Sequence, residues 1–304
     1  MLTRVTDDAP RIRSYHHREF DAAQLATLKG STTVSVCLPA RNEAPTVGDI
    51  VTSLRTELVD DVPLVDEILV IDDHSDDRTA QVAERAGGRV VAAADVLPAH
   101  GEGHGKGEVL WKSVFESTGD LIVWCDADIT DFGTRFVTGV LGPLLTEPDL
   151  GFVKGFYHRP EDAGGGGRVT ELVARPLLSL FFPELCDVIQ PLSGEYGGRR
   201  EVLEQVPFAQ GYGVEAGLLI DVTRRFGIDA IAQVDLDVRH HRHRPLEQLA
   251  PQAMAVAQTI LHRAGPELVE TQATLLGPGR VPTEVDVSDR PPLVELSDYL
   301  SRSA

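Results

Sequence analysis

The alternation of apolar and polar stretches along the chain predicts strands separated by helices. Residues 33–38, 67–71 and 121–125 are short runs that are apolar at nearly every position. Such runs are typical of strands buried on both faces of a parallel sheet. Between the first two runs, apolar residues recur at helical spacing at Val47, Ile50, Val51, Leu54 and Leu58. The order strand, helix, strand predicts parallel strands joined by right-handed crossovers.

The same patterns predict the elements of the rest of the chain and divide it into four parts. Further strands are predicted at 90–93, 151–158 and 230–238. Further helices are predicted at about 78–86, 109–117, 134–145, 168–180 and 245–264, with one more ending near 205 and another beginning at 211. Residues 1–31 form an N-terminal arm with a short docking helix near 20–28, and 32–160 form a Rossmann-like half. Residues 161–265 form a second half, and the tail 266–304 is expected to pack on the surface or on a second subunit.

Composition narrows the function classes. The 304 residues carry a formal net charge of −19, which disfavours nonspecific nucleic-acid binding. The apolar runs are of strand length and the N-terminus lacks an apolar segment, so we expect no membrane association and no secretory signal. Cys37, Cys125 and Cys186 are far apart and have no metal-binding spacing. An odd number of scattered cysteines favours a reducing, cytoplasmic environment.

Acidic residues follow three successive predicted strands. Glu43, the pair Asp72 and Asp73, and the pair Asp126 and Asp128 each come directly after an apolar run. The carboxyl ends of parallel strands meet at one edge of the sheet, which is where open α/β sheets bind ligands. Two neighbouring carboxylates repel each other unless a cation lies between them, and hard divalent cations prefer such oxygens. A metal site is predicted here, with an Asp-rich turn as the alternative for this motif alone.

Residues 99–108, AHGEGHGKGE, contain four glycines and Lys106 before a predicted helix. Backbone N–H groups of such a loop, together with the lysine, can bind phosphate. The order of residues is not that of the phosphate loop of nucleoside triphosphatases. A mobile surface loop remains the alternative.

Three other polar segments have both a functional and a structural interpretation. Asn42 and Glu43 lie at the sheet edge but can equally cap the following helix. Arg168 and Thr170 lie in the first turn of a predicted helix, where an anion is favoured. The run 239–244, RHHRHR, either contributes a histidine to the metal and arginines to phosphate, or is a solvated strand end.

Several long segments resemble the glycosyltransferases of the GT-A type. In the first half these are VSVCLPARNEAPTVGDIV, LVIDDHSDD and the DAD motif. The more specific segments, GGGRVTELVARPLL, PLSGEYGGRRE, PFAQGYGVEAGLLID, AIAQVDLDVRHHRHRPL and HGKGEVLW, resemble the glucosyl-3-phosphoglycerate synthases of glycosyltransferase family 81. The resemblance spans about residues 33 to 263. It implies an α/β fold of the GT-A type, with a Rossmann-like, mostly parallel sheet flanked by helices and a mixed α/β, acceptor-binding C-terminal half.

The resemblance also implies a reaction. Glucose passes from UDP-glucose to the 2-hydroxyl of D-3-phosphoglycerate, with retention of the anomeric configuration and with Mg²⁺ or Mn²⁺ as cofactor. We further expect a cytoplasmic homodimer with no nucleic-acid or membrane partner. No residue is assigned as nucleophile or base, because the family resemblance implies front-face attack in which the leaving phosphate takes the acceptor proton.

The resemblance assigns roles residue by residue. The nucleotide site comprises Pro39, Ala40, Asn42, Glu43, Asp73, Lys106, Asp126 and Ala127. The sugar site comprises Leu192, Ser193, Gly194 and Glu215. The acceptor site comprises Gly167, Arg168, Thr170, Tyr212, Arg239 and His243. The metal ligands are Asp128 and His241, and the residues closest to the chemistry are Asp128, Lys106 and Glu215.

Two departures from the family pattern and three alternative functions accompany this assignment. His243 stands where an asparagine is more usual, and the segment 157–164 looks short, so the acceptor side can differ. Within the family, mannosyl transfer from GDP-mannose to the same acceptor is the first alternative. The others are nucleotidyl transfer onto a sugar phosphate, and a non-catalytic nucleotide-sugar binder. The place directly after the first strand, where a nucleotidyltransferase has its Gly-rich loop, is occupied here by PARNE.

Overall fold

A mixed β-sheet with helices on both faces forms the centre of the molecule. The structure, a computed structural model, describes residues 12–103, 105–159, 167–239, 249–277 and 281–302. Its strands are β1 (Arg13–His16), β2 (Val34–Ala40), β3 (Glu67–Asp72), β4 (Arg89–Ala92), β5 (Leu121–Trp124), β6 (Phe152–His158), β7 (Tyr196–Arg199), β8 (Phe208–Ala209), β9 (Ile231–Val238), β10 (Gln272–Leu275), β11 (Thr283–Asp286) and β12 (Asp289–Arg290).

The helices alternate with these strands. They are α1 (Ala22–Lys29), α2 (Val47–Arg55), α3 (Thr79–Arg85), α4 (Lys106–Glu116), α5 (Arg135–Thr146), α6 (Arg175–Phe181), α7 (Arg200–Leu203), α8 (Val214–Phe226), α9 (Ala250–Ala264) and α10 (Ser297–Arg302). Two π-helical turns, Thr56–Asp60 and Thr170–Ala174, extend α2 and precede α6.

The eight-stranded sheet has the order β1-β9-β6-β7-β5-β2-β3-β4. Its neighbours pair in parallel, except that β7 runs antiparallel between β5 and β6. The predicted parallel α/β architecture is thus confirmed. Strands β7 and β9 come from the second half of the chain, so both halves contribute to one sheet.

Apolar side chains of the helices fill the core on each face of the sheet. On α2 the residues with helical spacing, Val47, Ile50, Val51 and Leu54, are completely buried against the sheet. Burial of each such side chain contributes about 1.5–3 kcal/mol relative to exposure. This face therefore holds the β2–α2 loop in a fixed place at the carboxyl end of β2.

Several predicted boundaries were wrong. The first strand extends to Ala40, so Pro39 and Ala40 lie within β2 rather than in the loop after it. The helix after the Gly-rich loop begins at Lys106 instead of Val109. Segment 190–200, where no strand is predicted, contains β7, and the N-terminal arm contributes β1 beside its helix α1. The described part of the last long helix begins at Ala250, and the predicted start at 245 lies outside the described residues.

The C-terminal tail packs on the same chain. Strand β12 pairs with β8, and Leu293 is fully buried in the main core. The indole N–H of Trp111 in α4 donates to the carbonyl of Pro291 at 2.9 Å. Among the described residues, none of the helices has the length and apolar character needed to cross a membrane.

The topology brings several chain segments to one edge of the sheet. Strands β2, β3, β5 and β9 present their carboxyl ends at this edge, because they run in the same direction. Strand β7 runs the other way, so the residues just before it, 192–195, arrive at the same edge. This edge holds the candidate site.

Candidate active site

The two acids after β5 face one guanidinium. Nη2 of Arg239 lies 3.2 Å from Oδ2 of Asp126 and 3.0 Å from Oδ1 of Asp128. Burial opposes ionisation of Asp126, but the charges of Lys106 and Arg239 outweigh it and hold the pKa of this carboxyl well below its usual 3.8. At the carboxyl end of β5, Asp126 thus faces two side-chain cations and Asp128 faces one.

Lys106 links the Gly-rich loop to this pair. Its Nζ lies 2.7 Å from Oδ1 of Asp126 and 2.9 Å from Oε1 of Glu215, which is buried in the first turn of α8. Gly105, which precedes Lys106, has a φ of +81°, a conformation that favours glycine. Burial alone would lower the pKa of Lys106, but the charges of Asp126 and Glu215 outweigh it and raise this pKa well above its usual value, so the ammonium stays charged.

Arg239 occupies the centre of a buried ionic network. It follows β9 and is only 4% exposed. Its Nη1 donates to the hydroxyl of Tyr157 at 2.6 Å and lies 3.2 Å from Oε1 of Glu195. Burial raises the pKa of Glu195, although the charge of Arg239 opposes this effect. The network therefore joins the ends of β9, β6 and β5 to the segment before β7.

Gly194 lies against the carboxylate of Asp126. A Cβ built on Gly194 would approach Oδ2 of Asp126 to 1.9 Å, so no larger residue fits. The neighbouring residue is also fixed, since the hydroxyl of Ser193 donates to the carbonyl of Gly155 at 2.5 Å. The predicted sugar segment, Leu192 to Gly194, thus contacts the Asp-x-Asp motif directly.

Asn42 ties two strand-end loops together. Its backbone is in the left-handed region at φ +61°. Its N–H donates to Oγ of Ser75 at 2.9 Å, and its Oδ1 accepts from the N–H of Asp76 at 2.9 Å. Helix α2 begins later, at Val47. The side chain therefore bridges the loops after β2 and β3 instead of capping α2.

Two further contacts join the loops at this edge of the sheet. The hydroxyl of Thr46 donates to the carbonyl of Ala127 at 2.6 Å, and the N–H of Glu43 donates to Oγ1 of Thr79 at 2.8 Å. Asp73 is buried, with Nδ1 of His74 3.0 Å from its Oδ1. The loops after β2, β3 and β5 thus form one continuous rim.

A cleft of about 270 Å³ opens next to the sugar segment. It brings together residues that the sequence assigned to the sugar and acceptor sites, Gly167, Thr170, Leu192 and Ser193. Its other lining residues are Tyr157, His158, Arg159, Glu171, Arg175, Ile189 and Gln190. Arg175 pairs with Glu171 at 3.1 Å, so Arg159 gives the wall a net positive charge, which favours anions in a protein of net charge −19.

The structure places the remaining predicted residues as follows. Arg168 starts the helical segment beside the cleft, and Tyr212 is 40% exposed in the turn Gly211–Gly213 before α8. His241 and His243 lie outside the described residues. Sequence reasoning missed Arg159, Arg175 and Glu195, because single charged residues in a strand end or helix carry no motif.

Comparison with known proteins identifies close relatives. The family model described as Glycosyl transferase family 2 matches residues 35–207. Glucosyl-3-phosphoglycerate synthase from Mycolicibacterium smegmatis is 48% identical over 294 residues, covering 93% of this chain and 96% of the relative.

Solved structures show the same similarity. Glucosyl-3-phosphoglycerate synthase from Mycobacterium tuberculosis, in complex with Mn²⁺, UDP-glucose and phosphoglyceric acid, superimposes with a TM-score of 0.86 at 43% identity, covering 93% of this chain and 98% of that chain. The same enzyme is also known with Mg²⁺ and UDP (TM-score 0.83, 43% identity, 93% and 99% covered). Mannosyl-3-phosphoglycerate synthase from Rubrobacter xylanophilus gives a TM-score of 0.85 at 40% identity, covering 93% and 97%.

Proposed function

The chain belongs to the glucosyl-3-phosphoglycerate synthases and carries the domain described as Glycosyl transferase family 2, and we propose that it moves glucose from UDP-glucose to 3-phosphoglycerate. One observation carries the proposal. The Lys106–Asp126–Glu215 network and the cationic cleft share a single wall, the segment from Leu192 to Gly194. A sugar held at that wall lies between a nucleotide side and an acceptor side.

The metal site fits the residues present. Asp128 offers a carboxylate oxygen at the edge of the network, and its side chain is 35% exposed, so an ion can reach it from solvent. We assign Asp128 and, by resemblance, His241 as ligands of Mg²⁺ or Mn²⁺, which suits an oxygen and an imidazole donor. When bound, the metal stabilises the negative charge that develops on the departing diphosphate.

On the donor side, charge and hydrogen bonding have separate roles. Lys106 supplies a buried, permanently charged ammonium next to Asp126, which favours the pyrophosphate. The loops around Asn42 and Asp73, with Ala127, form the rim that we assign to uridine. Glu215 is an anion and cannot attract phosphate, so we assign it to sugar hydroxyls, from which it accepts hydrogen bonds.

On the acceptor side, the cleft offers complementary charge to a molecule with a phosphate and a carboxylate. Arg159 and Arg175 line it, and Arg168 adjoins it at a helix start. Guanidinium groups bind both anions bidentately. Thr170 is 6% exposed and adds a hydroxyl at the same helix start. We therefore place the phosphate of phosphoglycerate at Arg168 and Thr170.

The chemical step that we propose retains the anomeric configuration. The 2-hydroxyl oxygen of 3-phosphoglycerate forms a bond to the anomeric carbon, the bond from that carbon to the diphosphate breaks, and the hydroxyl proton passes to a diphosphate oxygen. A double displacement would need a free carboxylate opposite the leaving group. Glu215, the acid that we assign to the sugar site, has its charge engaged by Lys106 at 2.9 Å. Front-face attack thus requires no nucleophile from the protein.

We also propose that the enzyme acts as a cytoplasmic homodimer. Large apolar side chains are exposed on the helical segment beside the cleft, with Leu172 at 72%, Leu180 at 73% and Phe181 at 41%. A second copy of the chain would cover such a surface. Light scattering of the purified protein tests this part of the proposal, and a monomer at micromolar concentration would contradict it.

The second candidate is mannosyl transfer from GDP-mannose. The Rubrobacter enzyme of that activity shares the fold, so the fold itself does not decide between the sugars. Parallel assays with UDP-glucose and GDP-mannose, each with 3-phosphoglycerate and Mg²⁺, decide the donor. We expect a strong preference for UDP-glucose. Release of pyrophosphate would indicate a nucleotidyltransferase, and tight binding without turnover would indicate a nucleotide-sugar binder.

A further inference from the structure

Lys154 is a buried lysine that lies close to the site but belongs to none of its predicted sets. It is in the middle of β6 and is 1% exposed. Its Nζ donates to the carbonyl of Ser193 at 2.7 Å and lies 3.8 Å from the centre of the Tyr196 ring. The carboxylates of the site pair instead with Lys106 and Arg239, and among the described residues none forms an ion pair with Lys154.

A lysine in this position is unfavourable for folding alone. Burial of an ammonium without a paired carboxylate is opposed by desolvation, which an apolar side chain of similar length does not suffer. Burial lowers the pKa of Lys154 to about 7, and Lys106 adds to this effect, while Glu215, Glu195 and Asp126 oppose it. A buried lysine with a perturbed pKa beside a site is a candidate for a role in that site.

The contacts of Lys154 show what that role is. Ser193 is held at three points: its N–H bonds to the carbonyl of Gln190 at 3.2 Å, its hydroxyl to Gly155, and its carbonyl to Lys154. The next residue, Gly194, lies directly against Asp126. The ammonium therefore fixes the wall that separates the donor network from the acceptor cleft.

We propose that Lys154 is a positioning residue for the glucosyl group of the donor. It acts through the carbonyl of Ser193, and thereby holds the segment Leu192 to Gly194 where it contacts the sugar. This inference rests on the proposed function, because it uses the assignment of that segment to the sugar site. It makes a specific prediction: loss of the ammonium weakens recognition of the sugar and leaves recognition of the nucleotide unchanged.

The test compares UDP with UDP-glucose. We expect Lys154→Met to bind UDP in the presence of Mg²⁺ within about twofold of the wild-type Kd, and to lose about tenfold or more in kcat/KM for UDP-glucose, as displacement of a positioning group by a fraction of an ångström can do. Lys154→Arg, which keeps a cationic donor, should fall between Lys154→Met and wild type. Should Lys154→Met not fold, Lys154→Gln replaces it in the same comparison.

Lys29→Met serves as the matched control. Lys29 is a second buried lysine, paired with Asp66 at 2.6 Å at the amino edge of the sheet. We expect this variant to lose thermal stability with unchanged kinetics. The inference would be overturned if Lys154→Met had the wild-type kcat/KM for UDP-glucose. It would also be overturned if the variant lost affinity for UDP and for UDP-glucose to the same extent. Absence of glucosyl transfer by the wild type would instead overturn the proposed function, while the Kd values of the wild type and of Lys154→Met for UDP and for UDP-glucose would still test the role of Lys154.

Discussion

Nζ of Lys106 lies 2.7 Å from Oδ1 of Asp126, and this contact joins the Gly-rich loop to the Asp-x-Asp motif. The same ammonium reaches Glu215 at 2.9 Å, so one cation connects the proposed pyrophosphate side to the proposed sugar side. In an anionic protein, this places positive charge where a nucleoside diphosphate sugar needs it.

Lys106→Met should therefore lower kcat by about 10²- to 10³-fold, the usual effect of removing one group that stabilises developing charge. The loss arises because the departing diphosphate is no longer stabilised by the ammonium. Steady-state kinetics with UDP-glucose measures it, and circular dichroism checks the fold. A kcat within twofold of wild type would show that Lys106 has only a structural role.

Gly194→Ala should inactivate the enzyme through Asp126. The new Cβ would lie 1.9 Å from Oδ2 of Asp126, so the carboxylate and the sugar segment must separate. Gly217→Ala, within α8, is the matched control, since its Cβ would meet Thr259, Ala209 and Arg263 at the ordinary distances of 3.4, 3.6 and 3.9 Å. We expect normal activity and equal or higher stability for the control. Equal activity of the two variants would refute the close packing of Gly194 on Asp126.

Arg168→Ala should raise KM for 3-phosphoglycerate about tenfold or more, which corresponds to the loss of a charge-assisted hydrogen bond to phosphate. The Kd for UDP should not change, because Arg168 is assigned to the proposed acceptor side. Arg85→Ala, at an exposed position near the end of α3, is the control and should leave both constants unchanged. An unchanged KM for 3-phosphoglycerate in Arg168→Ala would show that the phosphate binds elsewhere.

Asp237→Asn should make the attachment of the N-terminal arm insensitive to acid. The hydrogen bond with His17 at 2.7 Å, supported by Arg18, lowers the pKa of Asp237 from 3.8 to about 2. Since the folded-state pKa lies below the unfolded one, the stabilisation is present above about pH 4 and is lost as the pH falls towards 2. It amounts to about 1 kcal/mol, because a third of the side chain is exposed and water screens the charge.

Urea unfolding of wild type and Asp237→Asn at pH 7, 5 and 3 measures this dependence. We expect the difference in the free energy of unfolding between the two proteins to shrink between pH 5 and pH 3. A difference that stays constant over this range would show that the carboxylate charge of Asp237 does not hold the arm.

Strands were predictable where burial requires a run of apolar residues. They were missed where close packing against neighbouring backbones requires glycine instead. Strand β7, Tyr196–Arg199, contains two glycines and reads as a turn. A Cβ on Gly197 would lie 2.4 Å from the carbonyl oxygen of Ile122, and one on Gly198 would lie 2.7 Å from that of Gly151. Neighbouring backbones thus require glycine at positions where strand propensity disfavours it, so tertiary contacts determine this strand.

The candidate site likewise contains some residues that the sequence pattern predicts and others that it does not. Asp126 and Asp128 were predictable, because they end an apolar run and therefore must lie at the edge of the sheet. Glu195 and Lys154 were not, because a charged residue beside a turn or in a short alternating strand is ordinarily exposed. Their burial follows from the antiparallel insertion of β7, which the sequence pattern does not reveal.

The decisive assay of the proposed glucosyl transfer is the production of glucosyl-3-phosphoglycerate and UDP from UDP-glucose, 3-phosphoglycerate and Mg²⁺. The wild type should form the two products in equal amounts, and chelation of the metal should stop the reaction. Asp128→Asn should lower the rate by about a hundredfold or more with the fold intact, whereas Asp49→Asn, at an exposed position on α2, should not. UDP released without a glucosylated product, or full activity of Asp128→Asn, would contradict the account.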